Sequence, residues 1–543
     1  MADYTREEIE TKLTAFAEAR QEREAGETEE SVSTVTAVRK EGDEETEEDP
    51  PMGLRDASER EKKLVENLVV DEAKSSEGGE SDEEMEEEDV LSFADCDLSG
   101  LDLSELDMNE LDFSRSNLSG TNLSGTNLES SLFIKTNFTN AILHGTHLSL
   151  ADLSGAKLTK TDFSKADLSS ANLMDTELKD TLFTDCNLNE SNMTGLDLHQ
   201  VDLNGADLRK ANLTETNLCE LDLSGTNLSQ TMFVRANLAG IQFMECDLNR
   251  ANLKGAILTG ANFTDAKLSV GIYYEANLED AVMVRVQMKG ANLTSASLSR
   301  ANMTRADLTG ADFTDAQLID ADLSRVKLGG AIMRRADLTN TNLTDADLNI
   351  ADFTNANLIG AQLQGANLSR IKVSGGRANG AKLSKANLAR GKFIKTEMRG
   401  ADLSGTNLSS TDFTEADLTG TDMSRANLRE ANLSQTHAQK AFFIGADLEG
   451  ATLNQCDLTE ADLSGAKMEK IAARKAILIS TNLQRTDLQG ADLTETNFQN
   501  ANLTAAKLVE SCLKNSNLSG ANLNQADLTD ADFNGVKGYP HKN

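Results

Sequence analysis

Between Phe93 and Phe533 every fifth residue is bulky and apolar, and the register never slips. Of the 89 such centres, 59 are Leu, 16 Phe and 9 Met, with single Tyr273 and Val373; only Ala378, Ala438 and Ala473 are small. Few folds admit such a period. Five residues are too few for a pair of helices or a hairpin, yet a period of five is accommodated if each pentapeptide forms one side of a coil. The residue two before each centre is nearly always Ala, Thr, Ser, Cys or Gly. It must also point inward, because a second large side chain would overfill a narrow lumen.

Segments such as Ala166-Asp167-Leu168, Ala211-Asn212-Leu213 and Ala461-Asp462-Leu463 recur throughout. They resemble the pattern A-(D/N)-L-x-x of the pentapeptide-repeat family, over about 82% of the chain. The resemblance implies an all-β solenoid, a right-handed quadrilateral β-helix with four pentapeptides per coil and about 22 coils. It does not imply any one activity; some members resemble duplex DNA in width and charge and inhibit topoisomerases, and others are bacterial effectors delivered into host cells. The four-sided reading has support inside the sequence. Centres 20 apart share a face, and on that basis nine Phe fall on one face, five on the opposite one, two on a third and none on the fourth. Two opposed Phe walls alternating with two Leu walls would fill the lumen without voids. At a strand spacing of about 4.8 Å the rod is on the order of 105 Å long. No Pro interrupts residues 91–533, as a backbone that commits its amides to inter-coil bonds requires.

Three regions are predicted: an acidic, largely disordered extension over 1–90, the β-helix over 91–535 and a tail over 536–543. The extension holds 32 Asp and Glu against 11 Lys and Arg, so it carries 21 of the net 37 negative charges of the chain. Such a composition buries too little apolar surface to fold. Two short amphipathic helices are predicted within it. Thr5-Arg6-Glu7-Glu8 has capping-box spacing before Ile9, Leu13 and Phe16, and Ser58-Glu59-Arg60-Glu61 has it before Leu64, Val65 and Leu68. The second is expected to plug the open first coil or to dock a partner. The run Glu80 to Asp89 reads as a solvated linker or as a competitor for a basic surface. No apolar run approaches the roughly 18 residues of a membrane span, and the acidic start lacks a basic signal-peptide region, so the expected location is the cytoplasm.

Departures from the repeat are where function is sought. Leu101, Leu106 and Leu111 put large residues at the inward small position, which predicts a widened or plugged first coil. Ile272 and Tyr274 replace the polar neighbours of a centre, and with Lys254, Met232 and Val234 one and two coils earlier on the same face they predict an exposed apolar partner patch. Residues 285–399 carry 17 Lys and Arg against 10 Asp and Glu, between two acidic ends. Within that basic middle, Arg370, Lys372, Arg390 and Lys392 are predicted to stack on one corner a coil apart, facing an anionic partner: nucleic acid, a lipid headgroup or the acidic extension itself. Ala438 and Ala473 leave interior slots short of a Leu, the first of which Phe442 and Phe443 are expected to fill. An uncapped last coil invites an end-to-end homodimer.

Catalytic chemistry has no foothold. The pair His144 and His147 has no third ligand in view, no phosphate loop, nucleophile elbow or calcium repeat occurs, and a filled lumen offers no pocket. Six scattered Cys form no C-x-x-C pair and read as small buried residues rather than metal or redox groups. No cofactor or metal is expected. The sequence therefore points to a non-enzymatic scaffold or interaction rod with a protein partner; a DNA-mimic regulator of a topoisomerase and a bacterial effector are the alternatives.

Overall fold

The structure, a computed structural model, describes residues 2–30 and 91–538. Two compact units divide the chain, Met1–Ile9 with Ser92–Asn543 and Glu10–Leu91. The larger unit is a β-helix. Parallel bridges pair residues 20 apart, from Ser92 with Asp112 to Asn517 with Lys537, so four pentapeptides make one coil. Each centre donates its N–H to the next coil, as Leu123 does to the Ile142 carbonyl at 2.7 Å. The residue before it donates to the previous coil, as Asn122 does to Leu101 at 2.9 Å.

Corner chemistry explains the rest of the repeat. Two residues past each centre the backbone enters the left-handed region; φ is +58° at Arg115 and +66° at Gly120. The following residue donates back to the centre, as Ser116 does to Phe113 at 3.1 Å, which closes a four-residue turn. Asp or Asn before the centre serves this turn. Asp152 Oδ1 accepts the Ser154 N–H at 2.9 Å, and the Asn172 amide one coil later donates to the same oxygen at 3.0 Å. One side chain thus caps its own corner and ties it to its neighbour.

The small residue two before each centre does point inward. Where it is Thr, its hydroxyl donates to a centre carbonyl, either of the previous coil, as Thr121 does to Leu98 at 3.0 Å, or three residues earlier in its own, as Thr216 does to Leu213 at 2.6 Å, so the buried oxygen keeps a partner. The Phe walls are real stacks. Phe93, Phe113 and Phe133 follow one another with ring centroids 5.4 and 5.1 Å apart, Phe163 and Phe183 lie at 5.2 Å on the opposite wall, and Phe233 meets Phe243 across the lumen at 5.9 Å.

In one region the ladder opens. The bridges Glu177–Asp197, Asp202–Asp222 and Asp207–Asn227 are missing from an otherwise regular series among the described residues. The N–H groups of Leu178, Leu203, Gly205 and Leu208 correspondingly make no inter-coil bond. Overfilling accounts for the position. Val201, Leu221 and Ile241 occupy the inward small position in three successive coils, and Leu196 occupies it beside the first gap. Extra volume in a packed core forces neighbouring backbone apart. Repulsion adds to it, because Glu177 opposes Asp197 and Asp202 opposes Asp222. Charge alone is insufficient, since Asp402 and Asp422 keep their bridge. The opening leaves a cleft of about 440 Å3 lined by Leu203, Gly205, Asp222 and Thr226.

The first coil is plugged, though by a different segment from the one predicted. The Asp3 N–H donates to the Asp97 carbonyl, and its carboxylate accepts the Asp97 N–H. Tyr4 meets Phe93 edge-on at 5.7 Å, Arg6 donates to the carbonyls of Asp102 and Ser104 at 3.1 and 3.2 Å, and Ile9 is buried. A coil with nothing before it has unmatched backbone groups, and these contacts supply the partners. The helix behind them, α1 (Arg6–Glu30), starts on the expected capping box: the Thr5 N–H donates to Glu8 Oε2 at 2.7 Å, and the Thr5 hydroxyl accepts the Glu8 N–H at 3.3 Å. At 25 residues it is longer than the short helix predicted there. The second predicted helix, Pro50–Pro51 and the acidic run Glu80 to Asp89 lie outside the described residues. At the far end Leu523 and Leu528 are only partly buried. Replacing Ile9 with Asp should release the plug and make Arg115 accessible to trypsin in limited digestion; a digestion pattern equal to that of the unsubstituted chain would contradict this role.

Candidate functional site

The interior is committed to packing, and its polar groups show it. Cys186, Cys246 and Cys456 are buried at the inward small position. Desolvation pushes all three thiols up, that of Cys246 to about 11 and that of Cys456 to about 12, which suppresses the reactive thiolate. His144 and His147 are exposed, and among the described residues no three metal-ligating side chains converge. Chemistry available to a partner therefore lies on the outer corners and faces.

Arg370, Lys372, Arg390 and Lys392 come together there. All four are exposed, and Lys372 is bridged directly to Lys392. Arg370 and Arg390 stand at equivalent left-handed corners one coil apart, both with φ +60°. The ion pairs nearby, Arg377–Glu397 at 3.6 Å and Lys395–Glu415 at 3.5 Å, do not include them, and among the described residues no carboxylate lies within 4.0 Å of the four. Behind the corner the lumen has exchanged volumes. Val373 is a short centre with a large Ile371 two before it, whereas one coil later Phe393 is paired with Gly391, where an added Cβ would lie 2.8 Å from the ring. The weak centre at Val373 is thus made good from the neighbouring position, and the wall that carries the cations stays packed.

A second cationic feature escaped the sequence reading. Arg285, Arg305 and Arg325 occupy the same corner in three successive coils, with φ of +57°, +59° and +58°. They line a groove of about 330 Å3 with Thr304, Ser324 and Thr344. The signal was one residue type at a spacing of 20, hidden because three other corners intervene between successive members.

The apolar patch at Ile272 and Tyr274 is smaller than predicted. Both side chains are partly buried. Lys254 Nζ sits 6.0 Å from the Tyr274 ring centroid, and a hydrogen bond to Glu275 raises the Tyr274 phenol above its ordinary value. The ring thus lies under a cation with its hydroxyl engaged; exposed apolar area remains at Met232 and Val270. Phe442 likewise departs from expectation. It is 44% exposed and does not fill the slot at Ala438, whereas Phe443 is fully buried as a centre.

With the repeat, its corners and its lumen established, comparison with known sequences is decisive for the class. The family of pentapeptide repeats matches residues 92–129, 274–370 and 381–537 in overlapping segments, and the pentapeptide repeat region family matches 136–213 and 196–270. The chain belongs to the pentapeptide-repeat family, whose members fold as right-handed quadrilateral β-helices and are generally non-enzymatic structural or interaction proteins. The widest unmatched stretch within these limits, 371–380, holds the weak centres Val373 and Ala378. No curated protein matches the chain. Among solved structures it is similar to HetL, a pentapeptide repeat protein involved in heterocyst differentiation regulation from Nostoc sp. strain PCC 7120, at 24% identity over 54% of this chain and 90% of that one, TM-score 0.14. A pentapeptide repeat protein from the cyanobacterium Cyanothece is 38% identical over 17% of this chain and 58% of that one, TM-score 0.14. QnrB1, a plasmid-mediated fluoroquinolone resistance protein, is 20% identical over 36% of this chain and 89% of that one, TM-score 0.20.

One centre departs from the apolar rule. Tyr273 is fully buried with its hydroxyl unpartnered, in space that Gly271 leaves open; a Cβ there would lie 2.9 Å from the hydroxyl oxygen. Removing an unsatisfied buried hydroxyl should stabilise. Tyr273→Phe is expected to raise unfolding free energy by about 1–3 kcal/mol in chemical denaturation, and a lowered value would show that the hydroxyl has a role in solution.

Proposed function

We propose that this chain is a non-catalytic interaction rod that presents the corner of Arg370, Lys372, Arg390 and Lys392 to an acidic segment of a partner protein. The observation that supports the reading is four exposed cations without an ion-pair partner among the described residues, on a chain with a formal net charge of −37. Two unit charges about 5 Å apart in water repel by under about 1 kcal/mol. The fold tolerates that cost, and an anionic partner reverses its sign. The height of the patch favours a short acidic segment. Asp352 and Asp412 are bridged to Lys372 and Lys392 from the two sides, so the lysine column is two coils tall and ends in carboxylates. A nucleic-acid duplex needs a longer electropositive track. The DNA-mimic alternative needs a continuous anionic surface, which the cationic excess of residues 285–399 interrupts.

Titration of the full chain with a fluorescent oligoglutamate peptide tests this. Binding should weaken as salt rises and should fall by about tenfold or more when all four residues are replaced in R370E/K372E/R390E/K392E. Equal binding by the substituted chain would overturn the assignment, as would tighter binding of duplex DNA than of the peptide.

A further inference from the structure

The Arg285, Arg305 and Arg325 column has an organisation of its own, independent of the corner proposed above. Asp265 stands one coil before it and Asp345 one coil after it in the same corner position. Arg285 is held by Asp265, with Nε 2.7 Å from Oδ1 and the second fork nitrogen on Oδ2. Arg325 leans on Asp345 at 3.8 Å. Arg305, between them, is exposed and has no ion pair or side-chain hydrogen bond among the described residues. The groove beside the three guanidiniums also offers hydroxyls. Thr304 commits its hydroxyl to Asn302 at 2.6 Å, whereas Ser324 and Thr344 use only their backbone N–H groups, on Asp322 and Asn342, and keep their hydroxyls free.

We infer that this groove binds a short linear oligophosphate, the chain of three phosphates found in inorganic tripolyphosphate and in nucleoside triphosphates. A guanidinium presents a planar fork that matches the oxygens of a phosphate, which an ammonium cannot do. Three forks one coil apart span about 10 Å, the reach of three linked phosphates with their oxygens. The ends of the column set the length. A polyanion that continued along the corner, such as a nucleic-acid strand, would run past the arginines onto Asp265 or Asp345. A three-phosphate chain spans only the three arginines, stopping short of Asp265 and meeting Asp345, which lines the end of the groove, where Arg325 already holds that carboxylate. Within the groove the outer arginines are oriented by their aspartates, and Arg305 supplies the uncompensated charge. The hydroxyls of Ser324 and Thr344 donate to the remaining oxygens.

Isothermal titration of the full chain without divalent cations, using sodium tripolyphosphate, ATP, orthophosphate and a single-stranded oligodeoxynucleotide as separate probes, tests the inference. Tripolyphosphate should saturate one site. Arg305→Ala should weaken it by about tenfold or more, Arg305→Lys by a smaller factor because charge is kept and the fork lost, and R370E/K372E/R390E/K392E should leave it unchanged. ATP binding as tightly as tripolyphosphate would identify the triphosphate of a nucleotide as a source; binding of tripolyphosphate alone would identify the inorganic chain. Absence of a saturable site, indifference to Arg305→Ala, or equal or tighter binding of orthophosphate or of the oligonucleotide would each overturn the inference.

Discussion

Everything in the β-helix depends on the volume of its lumen. Each coil places a centre and an inward small residue from each of four sides into a fixed cross-section, and the inter-coil hydrogen bonds form only if that sum is right. Interiors packed at crystal-like density tolerate neither voids nor excess. Local exchange of volume is visible wherever the rule is bent. Gly271 makes room for Tyr273 and Gly391 for Phe393, while Ile371 makes good the short Val373. Where three large residues, Val201, Leu221 and Ile241, stack without compensation, the ladder gives way.

A filled lumen pushes function outward. The corner residue two past each centre is held in the left-handed region and directed to solvent, so its identity is free to vary from coil to coil. That freedom turns each corner into a column on which charges are spaced one coil apart. Some columns are self-compensating; Arg115 pairs with Asp95, Lys210 with Glu190 and Arg335 with Asp315, each across one coil. Such exposed pairs add little stability. Other corner cations, such as Arg250 and Arg425, have no ion pair among the described residues; the Arg370 to Lys392 corner differs from them in grouping four unpaired cations, and Arg305 in lying between two arginines that are paired.

The fold was legible from sequence because the repeat resembles that of the pentapeptide-repeat family, which implies the four-sided coil, and because the Phe positions report which centres share a wall. The inward small residue was legible from volume alone. Its hydroxyl bonds, and the double duty of Asp152 and its equivalents, were not, since they require the corner geometry. The plug at Asp3 to Ile9 could not be chosen over the Ser58 segment, because both carry the same capping-box and apolar spacing, and docking is decided by tertiary contacts. The Arg370 corner was found by counting charge, whereas the Arg285 column needed the sequence to be read with a stride of 20. At Tyr274 the apolar side chain and Lys254 one coil before it were both legible, whereas the placing of the cation over the ring required the geometry.

The claim that lumen volume governs the ladder is tested most directly by native-state amide hydrogen exchange along the β-helix. Amides of Leu178, Leu203 and Leu208 should exchange markedly faster than those of Leu188, Leu213 and Leu238, and replacing Val201 and Leu221 together with Ala should slow Leu203 and Leu208 towards their neighbours. Uniform protection through residues 178–228, or faster exchange there in the Ala variant, would contradict the account.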